Sequence, residues 1–395
     1  MEGAAGLTEL WLQNFKSVGP KRQRLVIRPL TVIAGANSSG KSTLMQPWLL
    51  LKQSWENAFE PRGLLLLEGP HVSFTEVEQF LSLVPGSDVN GFQFGFGNQF
   101  EIGDYATNGE FGRAEVKYNY ELERGLWRET ISRWVCLGAE TSEPNVDDLD
   151  ISEELLFKVQ LSGLLHVPGL RGRVSRQFPR TALGTRFRGP FEPYMASAIQ
   201  GWQESSDERL SILRRWLEEL ELTSTIEARV VNDVAIELNV GRFPRSKATK
   251  ADTVSLADVG IGVSQVLPGL VALLAANTGH TVYIEQPELH LHPNPQVKLA
   301  GILAEASKFG ARIIVETHSS LLVREIQTLV AEGKLDPADV SLNWCSRDPE
   351  TGATVVSQAE LGKDGTYGEW PIDFDNIALE SEGRFLDAVS LSRNR

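Results

Sequence analysis

Residues 35–43 read Gly-Ala-Asn-Ser-Ser-Gly-Lys-Ser-Thr, which fits the spacing G-x-x-x-x-G-K-[ST]. Gly35 and Gly40 let the backbone curl tightly, so that the N–H groups from Asn37, Ser38 and Ser39 through Thr43 point into one concavity and cradle phosphate oxygens. Lys41 is placed to reach β- and γ-phosphates, and the Ser42 hydroxyl to hold Mg²⁺. The flanks agree. Leu30 to Ala34 is a short, apolar, β-branched run, and a helix-compatible segment follows Thr43. Strand, glycine loop and helix start form the arrangement that binds anions. The plain alternative is a glycine-rich turn.

At 395 residues the chain is long enough to bury one large core or two smaller ones. Apolar residues make up 42% and charged residues 23%, the balance of a globular chain rather than a disordered one. No apolar run approaches the roughly 18 residues of a membrane span. The first residues, Met-Glu-Gly-Ala-Ala-Gly, lack the basic and apolar regions of a signal peptide. Two distant cysteines, Cys136 and Cys345, argue against a disulfide framework and for a reducing cytoplasm. A net charge of −14 excludes a surface coated in positive potential but allows a local basic groove.

The second half completes a nucleotide site. Thr281-Val-Tyr-Ile-Glu285-Gln286-Pro287-Glu288 reads as a buried strand ending in acids, the form in which an acid at a strand tip orients Mg²⁺ and its water. Ala311 to Ser319 repeats the pattern and ends in Glu316-Thr317-His318. Between them, Val297, Leu299, Ile302 and Leu303 have helical spacing. Strand, helix and strand predict a right-handed parallel unit. Ligands gather at the carboxyl ends of such strands, so Glu285, Glu316 and His318 are expected near the P-loop. Upstream, Gly260 and Gly262 precede the apolar segment Val266 to Ala276. They suggest a second loop-to-helix phosphate site, met most simply from a second subunit, or else a tight helix-start turn with no ligand.

Together these residues resemble an ABC-type ATPase of the branch containing the RecF, SMC and OLD-nuclease proteins. Leu10-Trp-Leu-Gln-Asn14-Phe15-Lys16-Ser17 is similar to that branch's first strand and N-F-[KR]-S turn. Asp258 to Gln265 resembles the signature helix start, Glu285 to Pro293 the Walker B and D-loop, and His318 the switch histidine. These motifs cover about a third of the chain. The phrases D-V-G-I-G-V-S-Q-V-L-P, E-Q-P-E-L-H-L-H-P and V-E-T-H-S are most similar to a bacterial subgroup of stand-alone AAA-type ATPases. That subgroup carries a small C-terminal domain with a W-P motif, here Gly368 to Phe374, and some of its relatives sit in phage-defence contexts.

The resemblance implies an α/β fold: an ABC-type P-loop head with a mixed sheet, an antiparallel β subdomain and a helical insertion. It implies ATP and Mg²⁺ as cofactors, a homodimer with ATP sandwiched between heads, and an effector partner. Lys16 and Ser17 join the P-loop in holding nucleotide, and Gly260, Gly262 and Ser264 meet it from the other subunit. Sustained heptads are absent, so no long coiled coil is expected.

Three departures bear on mechanism. Glu285 stands where an aspartate is usual, and its extra methylene still allows a water-mediated contact to Mg²⁺. Gln286 replaces the catalytic glutamate and cannot accept a proton. Slow hydrolysis follows, or another acid substitutes: Glu316 first, Glu288 second. Ile261 replaces the signature serine, with Ser264 one turn on as a possible source of a hydroxyl.

Motif placement divides the chain into 1–135 (P-loop and antiparallel hairpins), 136–225 (helical lobe with an arginine-rich loop), 226–345 (signature, Walker B and switch) and 346–395 (a small C-terminal domain). Gly91 to Trp134 alternates like hairpins, Ser205 to Glu221 has helical spacing, Ile226 to Val240 reads as a hairpin, and Pro47 should kink the helix after the P-loop. Glu140 to Glu154 suits an exposed acidic loop.

Residues 155–191 contain no Asp or Glu but hold Arg171, Arg173, Arg176, Arg180, Arg186 and Arg188, interleaved with Phe178 and Phe187. Such an island suits DNA or RNA. The alternatives are arginines paired with acids of this chain or its partner, or an arginine reaching the triphosphate. Glu288, His290 and His292 are dense enough to consider for a metal, but the resemblance places them in the D-loop. A non-hydrolysing ATP-dependent scaffold and an OLD-type nuclease are the competing classes. For the nuclease, the stretch after His318 is short and Asp364, Asp373 and Asp375 are scattered. Trp370 and Pro371 form either a docking surface or a tail packed on the core.

Overall fold

The computed structural model describes residues 7–57, 65–98, 112–123, 126–137, 161–169, 175–242, 252–367 and 383–386. The expected acidic loop, Arg171, Arg173, Asp373, Asp375 and the Trp370-Pro371 segment lie outside the described residues.

A six-stranded sheet organises the molecule. Its order is β15 (Thr354–Ala359), β14 (Val340–Arg347), β3 (Leu30–Gly35), β13 (Arg312–Thr317), β12 (Thr281–Glu285) and β7 (Leu164–Val167). All neighbours pair in parallel except β15, which returns antiparallel along β14. The expected strand–helix–strand unit is present: β12, helix α5 (Pro293–Ala306), then β13, with Glu285 in register with Glu316. The sheet runs on to Ala359, past the boundary expected at 345/346, and draws β7 from within the expected helical lobe.

The inner strands are mostly apolar because both faces are covered, whereas the edge strand β15 exposes Ser357 and Gln358. Ile33, Tyr283, Ile314 and Cys345 face one core. Their neighbours Val32, Ala34, Val282, Ile284, Ile313, Val315, Leu342 and Trp344 face the other. On the first face lies α1 (Lys41–Glu56), which continues through Pro47. Beyond α1 is a five-stranded antiparallel sheet, ordered β2 (Gln23–Val26), β1 (Leu7–Gln13), β4 (Gly91–Asn98), β5 (Gly112–Glu123) and β6 (Leu126–Leu137). The hairpins expected over Gly91 to Trp134 are β4 to β6. Trp48 of α1 meets Phe94 and Phe96 edge-on, at 5.4 and 4.8 Å. Burying each such side chain contributes roughly 1.5–3 kcal/mol.

Against the second face pack α2 (Met195–Ser205), α3 (Glu208–Glu219), α4 (Ile261–Ala275), α5 and α6 (Ser320–Ala331). The helical spacing read over Ser205 to Glu221 is α3, with Leu213, Trp216 and Leu217 fully buried. A smaller sheet joins here. β9 (Ile226–Asn232) and β10 (Ala235–Gly241) form the expected hairpin. β11 (Thr253–Ser255) and β8 (Phe178–Pro179) share the other edge of β10. Among the described residues, no helix is long and apolar enough to cross a membrane.

Candidate functional site

The parallel strands of the large sheet end together, so the P-loop after β3, Glu285 of β12, Glu316 of β13 and Arg347 of β14 share its carboxyl edge. The P-loop is shaped by positive φ angles: Gly35 at 151°, Ser38 at 60° and Gly40 at 100°. A Cβ on Gly40 would lie 2.1 Å from Thr354 Oγ1, and one on Gly35 2.3 Å from the Cys345 carbonyl oxygen, so no side chain fits either position. Thr354 closes the loop from β15. Its hydroxyl is 2.7 Å from Ser17 Oγ and donates to the Ser39 carbonyl at 3.0 Å.

Lys41 is buried. Its ammonium donates to the carbonyls of Gly35 and Ala36 at 3.1 and 2.8 Å. Burial lowers its pKa, against the opposing pull of Glu316. Ser42 Oγ donates to Glu316 Oε1 at 2.8 Å, and the Tyr283 hydroxyl to Glu316 Oε2 at 2.8 Å. Burial and the nearby Glu285 raise the Glu316 pKa. Lys16, in a turn with φ of 50°, donates to Gln46 Oε1 at 3.0 Å.

A pocket of ≈ 610 Å³ is lined by Lys16, Ser17, Asn37, Ser38, Gly40 to Thr43, Gln46, Gln286, Glu316, His318 and Arg347. The structure thus brings Gln286, Glu316 and His318 onto the P-loop. Burial and Lys41 depress the His318 pKa, which favours neutral imidazole. Glu285 is not among the lining residues. Its carboxylate accepts from Gly169 N at 3.0 Å and lies 3.1 Å from His166 Nε2. Burial raises the Glu285 pKa, but the bonds from His166 and Gly169 outweigh that and leave it lowered. Glu288 is likewise outside the lining. It is buried behind the pocket, with Oε1 accepting the His318 amide at 2.8 Å. The acid in contact with the P-loop serine is therefore Glu316.

Sequence reasoning missed three contributors. Arg347 braces the loop tip, donating to the carbonyls of Ser38 and Gly352 at 2.7 and 2.9 Å. Thr354 is the second. The third is a buried line beneath the strand tips, in which His166 Nδ1 is 3.0 Å from His71 Nδ1, His71 faces Glu56 at 3.5 Å, and Glu56 pairs with Lys52 at 2.6 Å. A charged residue closing an apolar strand flagged Glu285 and Glu316, and the same signal was available for Arg347. A histidine inside the apolar run Leu164–Val167 was the signal for His166.

The second glycine pair stands apart. Gly260, Gly262 and Asp258 line a different pocket of ≈ 530 Å³, and no residue is common to the two. Gly260 caps α4 without a side-chain hydrogen bond, Ile261 is 58% exposed, and Ser264 Oγ is engaged by the Ile261 carbonyl at 2.8 Å. Of the arginine island, Arg176 pairs with Asp258, while Arg180, Arg186 and Arg188 are exposed. Phe178 and Phe187 are buried in the core, so neither offers a face for stacking a base. His290 and His292 are exposed, and Asp364 accepts from the amide and hydroxyl of Thr366. Among the described residues, no three His, Cys, Asp or Glu side chains are grouped to hold a metal.

A family model described as "AAA domain, putative AbiEii toxin, Type IV TA system" matches residues 30–324. The backbone is similar to solved SMC heads. An SmcHead bound to the C-winged helix domain of ScpA gives a TM-score of 0.55 at 13% identity, covering 91% of this chain and 98% of that one. An Smc head domain with an extended coiled coil, bound to the C-terminal domain of ScpA derived from Pyrococcus furiosus, gives 0.53 at 11% identity, covering 98% and 99%. No curated protein matches the chain in sequence.

Proposed function

Because the chain belongs to this AAA-domain family and is a P-loop ATPase with an SMC-type head fold, we propose that it binds ATP with Mg²⁺ and pairs with a second copy around two nucleotides. Slow turnover of the γ-phosphate would then switch an effector protein in a nucleic-acid-linked or phage-defence role. The observation that carries this reading is the split of the phosphate-binding groups. Lys41, Ser42, Glu316 and His318 share one pocket, and the signature glycines line another. A second copy supplies the missing half of each site.

The residues fit a magnesium ion. The Ser42 hydroxyl at the start of α1 is a hard oxygen donor, Glu285 is the acid that would reach the ion through water, and Mg²⁺ favours one or two such ligands beside phosphate oxygens. Glu285 is held in place by His166 and Gly169. The ion, when bound, neutralises charge on the phosphates. Lys41 binds the β- and γ-phosphates, and His318 senses the γ-phosphate as neutral imidazole. Glu316, whose raised pKa suits a proton acceptor, takes over the base role that Gln286 lacks.

Gln286 also favours a second reading, in which ATP is held without hydrolysis and the closed dimer is a scaffold for the effector. Single-turnover hydrolysis with and without DNA, run beside light scattering of the eluting species, separates the two. Slow phosphate release that Glu316→Gln abolishes supports the switch. An ATP-dependent dimer with no phosphate release supports the scaffold. DNA cleavage in the same assay transfers the chain to the nuclease class, and a monomer with or without ATP removes the paired-head reading.

A further inference from the structure

The segment leaving β12, residues 286–292, is tied twice to the end of β13 and the turn after it. Gln286 N donates to the Glu316 carbonyl at 2.8 Å, and the His318 amide donates to Glu288 Oε1 at 2.8 Å. Within it, Leu289 N bonds the Gln286 carbonyl and Leu291 N the Glu288 carbonyl, at 3.1 and 2.9 Å. Gln286 and His290 have φ angles of 45° and 68°, and left-handed backbone costs a non-glycine residue roughly 1–2 kcal/mol. Bonds to the surroundings, not local preference, therefore hold this shape.

At its far end the segment touches the signature helix. A Cβ on Gly262 would lie 3.5 Å from the His290 carbonyl oxygen and 3.8 Å from Leu291 Cδ2. One short, doubly tied segment thus spans from the switch histidine to the start of α4 within a single subunit. Glu288 sits at its middle, 7% exposed, with Oε2 buried and without a hydrogen-bond partner. Burying a carboxyl with one oxygen unsatisfied is costly. It lines no part of the pocket; it faces the turn after β13, where the His318 amide donates to it at 2.8 Å and the Thr317 side chain and Ser319 amide also interact with it.

We propose that Glu288 is a positioning residue that pins the His318 backbone to the 286–292 segment, making that segment a strut that transmits the state of His318 to the signature helix of the same subunit. The coupling rests on the reading of the chain as an ATP switch; the pin does not.

Hydrogen exchange of the full chain with and without Mg²⁺ and ATP, beside single-turnover hydrolysis, tests both. Without nucleotide, Glu288→Ala should speed exchange in the peptide containing the His318 amide about tenfold, the loss of one buried hydrogen bond. Glu288→Gln keeps a carbonyl acceptor and should leave exchange unchanged. With nucleotide, residues 260–264 should gain protection in the parent and in Glu288→Gln but not in Glu288→Ala, while ATP affinity stays within about twofold. Glu288→Met, which keeps volume without an acceptor, replaces the alanine variant if that one does not fold. Unchanged His318 exchange in the variant without an acceptor, alanine or methionine, overturns the pin. Turnover lost equally in Glu288→Gln and Glu288→Ala, with His318 protection intact in the former, makes Glu288 the proton acceptor instead. A parent that binds no ATP ends the switch reading, and the nucleotide-free arm still decides the pin.

Discussion

Two glycine loops open onto two helices here, and they differ in what demands the glycine. Before α1, the chain itself forbids a side chain: Gly40 has φ of 100° and Thr354 presses on it from β15. Before α4, Gly260 has φ of −56° and ψ of 147°, which any residue adopts, and a Cβ there would meet none of the described residues within 4 Å. Gly262 makes only ordinary contacts. The first loop is a finished cradle. At the second, the described residues supply no internal reason for glycine.

The hardest test of that contrast is a matched pair of substitutions. Gly40→Ala should destabilise the protein by about 2–4 kcal/mol through overpacking and left-handed strain, and should remove ATP binding. Urea unfolding and titration calorimetry measure the two effects. Gly260→Ala should leave stability within about 1 kcal/mol and ATP affinity intact, yet prevent the ATP-dependent dimer seen by light scattering. Equal loss of stability in both would erase the distinction.

Charges at the far end of the P-loop helix and beside the signature loop extend the comparison on a smaller scale. Glu56, the last residue of α1, is enclosed by Lys52, His71 and the Gly189 amide. Burial alone would raise its pKa, but these partners bring it down from 4.5 to about 2. The folded form holds its proton more weakly than the unfolded chain, so Glu56 stabilises the protein above pH 4.5 and that contribution is lost as pH falls toward about 2. Glu56→Gln should therefore flatten the acid limb of stability across that window, as followed by circular dichroism. Beside the signature loop, the Arg176–Asp258 pair is 65% and 44% exposed and screened by solvent, so Asp258→Asn should leave the urea unfolding midpoint essentially unchanged.

The smallest expected effect on stability concerns the exposed arginines. Replacing Arg180, Arg186 and Arg188 with alanine should leave stability within about 0.5 kcal/mol and weaken low-salt binding of single-stranded DNA in a filter assay. No binding by the parent at low salt withdraws nucleic acid as a partner of this island.

Much of the P-loop side was legible in the sequence because its signals are local. Glycine spacing, an apolar strand before it and acids closing two later strands are each read within a dozen residues. The hairpin β9–β10 and the unit β12–α5–β13 came from the same short-range periodicities. What stayed hidden depends on pairing across the chain. Thr354 and Arg347 reach the loop only because β14 lies beside β3, and no spacing rule joins positions that far apart. The division of labour between Glu285 and Glu316 was hidden for a related reason. Both close apolar strands, and only the order β3-β13-β12 reveals which carboxylate stands next to Ser42. Phe178 and Phe187 looked available for stacking because alternation with arginine gives no sign of which residues turn inward.

The clamp of Thr354 on the P-loop has a consequence for how the protein is made. Ser17 and Thr354 are 337 positions apart, and Ser39 and Thr354 are 315 apart. During synthesis the loop leaves the ribosome long before the strand that shapes it, so the nascent chain carries the phosphate-binding sequence without the phosphate-binding form. Non-local closure of this kind slows folding and leaves sheet edges open meanwhile. Nucleotide capture thereby becomes one of the last acts of folding, reserved for a chain whose sheet has been completed.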